Sequence, residues 1–107
     1  MNQGDVRWYT FRAPDKRRPV LVLTRDSAIP YLGNVTIAPI TSTVRSIASE
    51  VMLTPADGLA QVCAVNCDNL QTVPKASVGA FIAHLSTEKL HAVRLAIEFA
   101  LGFDALA

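Results

Sequence analysis

Seven short stretches with strand-like composition or alternation follow one another in this 107-residue chain, and only after the last does a helical pattern begin. Few folds accept that order. Residues 6–11 bring together Trp8, Tyr9, Thr10 and Phe11, side chains that suit a pleated surface. Residues 12–18, with Pro14 and Asp15, read as a turn or short loop. Residues 19–24 form a continuous apolar run, which predicts a strand buried on both faces with Pro19 as its first residue. Residues 27–33 are irregular. Residues 34–41 alternate, and Pro39, which has no N–H, predicts an edge strand or a bulge near its end. Residues 47–53, 61–66, 70–73 and 81–85 complete the strands, with a turn at 54–58.

Ser86 is suited to cap a helix, with Glu88 in the first turn and Gly102 as the stop. Leu90, Val93, Ile97 and Leu101 recur at spacings of three and four, and Ala92, Ala96, Phe99 and Phe103 widen that face. Apolar residues around more than half the helix predict packing on a barrel or on a second subunit. The expected fold is mainly β (α+β), a small, strongly bent antiparallel barrel closed by a C-terminal helix, in one domain over residues 1–107. An open α+β sheet is the main alternative.

Composition narrows the chemistry. Half of the residues are hydrophobic, enough for a modest core without staples. With only two Cys (Cys63, Cys67) and two His (His84, His91), a Cys/His zinc site is not expected, and no metal site is assigned. The cysteines stand four apart on an extended segment, beyond disulfide reach, and read as buried apolar thiols. The histidines read as structural. No apolar run approaches the about 18 residues of a membrane span, and no apolar segment follows the polar start, so a cytoplasmic protein with no membrane partner is expected. Net charge is +1, but residues 1–25 carry six basic and two acidic side chains, against four and seven in the remainder. A basic end of +4 on a body of −3 suits contact with a polyanion.

Four strings in order carry a resemblance. Gly4-Asp5-Val6 leads into aromatic Trp8 and Tyr9. Arg17-Arg18-Pro19-Val20-Leu21-Val22-Leu23 runs into Thr24-Arg25-Asp26, the most distinctive of the four. Val35-Thr36-Ile37-Ala38-Pro39-Ile40-Thr41-Ser42-Thr43 is an apolar strand ending in hydroxyls. Asn66-Cys67-Asp68-Asn69-Leu70-Gln71-Thr72 is a weaker fourth. In these the chain resembles the PemK/MazF family of bacterial toxins over nearly its whole length. The resemblance implies a Src-homology-3-like barrel forming a homodimer. It implies a sequence-specific, metal-independent endoribonuclease without cofactor, acting on single-stranded RNA and held in check by a cognate antitoxin. It places the catalytic pair at Arg18 and Thr41. The loop between the first two strands is shorter than is usual in the family and holds Lys16 and Arg17, which leaves the substrate sequence and the gating open.

These residue types fit that chemistry. RNA supplies its own nucleophile, the 2′-hydroxyl, so the protein must align the attack and spread the transition-state charge. Arg18 offers a permanent cation with a planar fork of donors. Thr41 offers a hydroxyl to a phosphate oxygen. With Thr41-Ser42-Thr43 in a row, the catalytic hydroxyl could stand a position or two away, and alternation would put Ser42 on the opposite face from Thr41 and Thr43. No general base stands out. The expected products are a 2′,3′-cyclic phosphate and a 5′-hydroxyl. Lys16, Arg17 and Arg45 are candidates for phosphate contact, with Thr43 beside them. Asn69 and Gln71 are candidates for base edges. Trp8 and Tyr31 are candidates for stacking, although Trp8 suits a core or dimer contact better. Two other classes stay open: a CcdB-like gyrase poison, disfavoured by the lack of a Trp near the C-terminus, and a non-catalytic barrel binding RNA or peptide.

Overall fold

A computed structural model describes residues 1–12 and 16–106. Among the described residues there are seven strands: β1 (Asp5–Thr10), β2 (Arg17–Val22), β3 (Asn34–Thr41), β4 (Glu50–Leu53), β5 (Cys63–Asn66), β6 (Gln71–Pro74) and β7 (Phe81–His84). One helix, α1 (Thr87–Leu101), follows. All strand pairings are antiparallel, in the order β4-β5-β3-β2-β1-β7, with β6 also on β3. The result is a curled half-barrel sheet with the helix laid against it. No helix among the described residues is long and apolar enough to cross a membrane.

Alternation along β1, β2 and β3 sends side chains to two faces, and each face has its own core. Val6, Leu21, Ala38 and Ile40 join Val93 and Ala96 of α1 in the larger one. Val20, Val22, Val35 and Ile37 point the other way, into a smaller core with Ile29 and Val73. The expectation that the β2 segment is buried on both faces therefore holds.

Several boundaries differ from expectation. β2 begins at Arg17, so Arg17 and Arg18 are strand residues rather than loop, and Pro19 is the third residue of its strand, opposite Trp8. The turn expected around Pro14 and Asp15 falls on residues 13–15, outside the described ones. β4 begins only at Glu50, because residues 44–49 take an irregular course in which Ser46 has a φ of 56°. Pro39 is neither at an edge nor bulged: it is buried and paired with Val20. Its other side falls between the stretch of β3 that pairs β6 (Asn34–Ile37) and the stretch that pairs β5 (from Ile40). A residue without an N–H costs no ladder bond in that gap.

The helix ends are as expected. Ser86 Oγ accepts from Lys89 N–H at 3.2 Å, and Gly102 closes the helix with a φ of 79°. The buried seam is shifted from the expected one. Val93 and Ala96 are buried and Leu90 and Ile97 half-buried, whereas Leu101, Phe99 and Phe103 stay exposed.

Candidate active site

β2 and β3 run antiparallel with Val20 opposite Pro39. Continued by two residues, that register sets Arg18 opposite Thr41, at the end where β3 has turned toward β5 (Thr41 opposite Ala64). Two clefts meet at this strand end. One, of about 510 Å³, contains Trp8, Lys16, Arg17, Ser42, Thr43 and Gln61 over a floor that includes Leu59 and Cys63. The other, of about 290 Å³, contains Phe11, Arg45, Asn66, Asn69 and Gln71. Arg18 and Thr41 line both.

Strand alternation explains the division. Trp8, Arg17, Pro19 and Ile40 belong to the sheet face that carries α1, and Phe11, Arg18, Pro39 and Thr41 to the opposite face. All eight expected site residues are thus gathered at one end of the sheet. Lys16, Arg17 and Thr43 lie on one side of the Arg18–Thr41 rim, and Arg45, Asn69 and Gln71 on the other.

The Arg18 guanidinium lies 5.9 Å from the centroid of the Phe11 ring, which steadies it without neutralising it. Thr43 N–H donates to Thr41 Oγ1 at 3.1 Å. That bond uses one acceptor site of the hydroxyl and leaves its proton to give to a ligand. Arg45 is anchored through its backbone, its N–H donating to Glu50 Oε1 at 2.9 Å. Asn69 closes a short 3₁₀ turn (Cys67–Asn69), capped by Asn66, whose side chain accepts from Asp68 N–H at 3.0 Å. Buried Ser49 donates its hydroxyl to Asp68 at 2.5 Å and ties that turn to the segment leading into β4. Among the described residues, the linings combine four cations with hydroxyls and amides, and contain no carboxylate. Such a surface suits a phosphodiester with unstacked bases on either side.

Some assignments change. Ser42 faces the same cleft as Thr43, not the opposite side, because β3 ends at Thr41 and alternation ends with it. Trp8 is only half-buried and lines the larger cleft. Tyr31 is 87% exposed and precedes the far end of β3, a strand length away from Thr41, so it cannot serve this site. Gln61 and Asn66 were hidden from sequence reasoning inside one expected strand. β5 starts at Cys63, which leaves Gln61 in the loop that walls the larger cleft.

Three further titratable groups, Asp5, Cys63 and Cys67, are buried. Asp5 is 5% exposed; burial pushes its carboxyl up, but bonds from His84 Nδ1 (2.9 Å), Asn2 N–H (2.9 Å) and Arg7 Nε (3.3 Å) outweigh this and hold it below its ordinary value. Cys63 and Cys67 are free and buried, as expected. Burial, with Asp68 and Glu50 nearby, pushes the Cys67 thiol up to about 11.

Residues 2–101 match the model of the PemK-like, MazF-like toxins of type II toxin–antitoxin systems, and the chain belongs to that family. It is 47% identical over 90 residues to endoribonuclease MazF3 of Mycobacterium tuberculosis, covering 84% of this chain and 87% of that protein. Among solved structures it resembles the M. tuberculosis toxin MazF-mt6, with 42% identity, a TM-score of 0.84, and 92% and 96% of the two chains covered. At 24% identity, the fold is also shared with a mycobacterial endoribonuclease solved in complex with its cognate antitoxin (TM-score 0.84, 95% of each chain).

Proposed function

We propose that this chain is the toxin of a type II toxin–antitoxin pair, a metal-independent endoribonuclease that cuts single-stranded RNA and so inhibits translation and growth. The carrying observation is that Arg18 and Thr41 share the rim between two clefts lined by cations, hydroxyls and amides. The RNA crosses this strand end with its scissile phosphate at the rim. Arg18 gives two N–H bonds to the non-bridging oxygens and offsets the charge that grows there as the 2′-oxygen attacks. The Thr41 hydroxyl donates to the same phosphate and fixes it for in-line displacement. The new bond is from the 2′-oxygen to phosphorus, the broken one from phosphorus to the 5′-oxygen; the 2′-hydroxyl gives up a proton and the leaving 5′-oxygen takes one up. The products are a 2′,3′-cyclic phosphate and a 5′-hydroxyl. Lys16, Arg17 and Arg45 hold flanking phosphates, with the Thr43 hydroxyl beside them. Asn69 and Gln71 meet base edges.

The protein acts in the cytoplasm as a homodimer, and an antitoxin covers the same surface. The relatives' endoribonuclease names favour this reading over a gyrase poison. The test is to mix purified protein with long single-stranded RNA in the presence of a chelator and to map new 5′ ends by primer extension. Cuts at one short recurring sequence are expected. Absence of cuts across several RNAs, with antitoxin removed, overturns the reading.

A further inference from the structure

We propose that the larger cleft is a nucleobase subsite: the unpaired base next to the scissile phosphate stacks on Trp8, in the place that the Arg17 guanidinium occupies in the free protein, and Gln61 reads its edge. The proposal rests on the ribonuclease reading above and adds where one particular base goes and what selects it.

Trp8 is a fixed platform. Its backbone N–H donates to the Ala80 carbonyl at 3.0 Å, and its backbone carbonyl accepts from Gly79 N–H at 2.8 Å, so the main chain that carries the ring is held on this side while Trp8 pairs Pro19 of β2 on the other. The neighbouring chain passes so close that a Cβ at Gly79 would lie 3.0 Å from the Trp8 carbonyl oxygen. The half-buried ring opens into a cleft of about 510 Å³, a volume typical of small-ligand sites.

The ring is covered in the free protein. Arg17 stands opposite Thr10, two residues along from Trp8 on the same sheet face, and its guanidinium lies 4.3 Å from the ring centroid. No ion pair holds it among the described residues. A planar cation over an aromatic face fills the slot that a planar base would take. A phosphate entering beside it offers a stronger, bidentate partner than the ring does. Arg17 then turns to the backbone of the RNA as the base takes the ring, so one side chain both shields Trp8 and rewards its uncovering.

The remaining walls favour a base over a peptide or sugar. Leu59, Ile40 and Cys63 make an apolar floor, and exposed Gln61 supplies an amide with both donor and acceptor, the complement of a base edge. Because the two clefts open on opposite faces of the sheet and share only their rim, a strand crossing that rim sends its next base to Trp8 and the base on the other side toward Asn69 and Gln71.

Trp8 is the chain's single tryptophan, so its emission reports on this cleft alone. A short RNA spanning a mapped cut site, 2′-O-methylated at the attacking hydroxyl, is titrated into the full-length protein, with binding followed in parallel by anisotropy of the labelled RNA. Quenching of Trp8 emission that saturates with the anisotropy is expected. It is lost when the nucleotide on one side of the scissile bond is made abasic and kept when the one on the other side is. Gln61→Leu, assayed by cleavage, lowers discrimination among the four bases at that same position by roughly tenfold. Binding without a change in Trp8 emission, or equal quenching by the two abasic RNAs, overturns the subsite and leaves the ribonuclease reading standing. Failure of any RNA to be bound or cut overturns the ribonuclease reading instead.

Discussion

Arg18 carries the largest single expectation. Arg18→Ala removes the guanidinium that lines both clefts and could give the scissile phosphate two parallel bonds, and cleavage should slow at least about a hundredfold. Arg18→Lys keeps the charge, loses the fork, and should recover only part of the rate. Rates on one mapped RNA, with melting temperatures alongside, check both; unchanged cutting by Arg18→Ala would refute its role. Asp5 tests the fold rather than the chemistry. Its carboxyl is held below the ordinary 3.8. Its bonds to His84, Asn2 and Arg7 therefore stabilise the protein fully above that value and are lost as pH falls through the lower, folded one. Asp5→Asn should flatten the acid limb of the stability curve below about pH 4, as read by urea unfolding at several pH values. Charge and hydroxyls made these residues visible in the sequence, but Arg18 and Thr41 stood out there only through the strings around them. Nothing local distinguishes either from an ordinary strand residue.

At the level of elements, two glycines separate conformational cost from steric cost. Gly102 ends α1 with a φ of 79° and open space around it, so Gly102→Ala should cost only about 1 kcal/mol of left-handed strain. Gly58 has a φ of 94°, and a Cβ there would lie 2.8 Å from the Ala83 Cβ. Gly58→Ala should be the more destabilising of the two, and because Gly58 leads into the loop bearing Gln61 it should also weaken RNA cleavage. Paired thermal melts and rates would show this; equal effects would count against it. Helix ends were legible because Ser86 and Gly102 act within one turn of chain. Strand starts were not: Gln61 and Val62 run without a break into Cys63-Ala64-Val65, and only the pairing of β5 with β3 and β4 decides that the strand begins at Cys63. The place of Pro39 was hidden for the same reason, since a gap between two partners is a tertiary fact.

For the whole molecule, four cations bracket one rim. Lys16, Arg17, Arg18 and Arg45 should release counterions when they meet a single strand, giving a slope of about −3 in log K against log salt. A slope near zero, measured with uncleavable RNA, would contradict phosphate contact at both clefts. Leu95, Phe99, Leu101 and Phe103 leave a broad apolar surface on and after α1. Light scattering at micromolar concentration should therefore give about twice the 11.5 kDa chain mass, and a stable monomer would argue against a dimer.

The interrupted ladder along β3 also bears on how the protein breathes. On either side of Pro39 the strand leans on different neighbours, β6 toward Asn34 and β5 toward Thr41. Amide exchange should therefore divide there into two opening units of unequal protection. The cleavage rim lies at the seam, with Thr41 on the β5 side and Gln71, which pairs Ile37, on the β6 side. An RNA lying across both clefts would stitch the seam shut, and the amides of β5 and β6, independent in the free protein, would slow together.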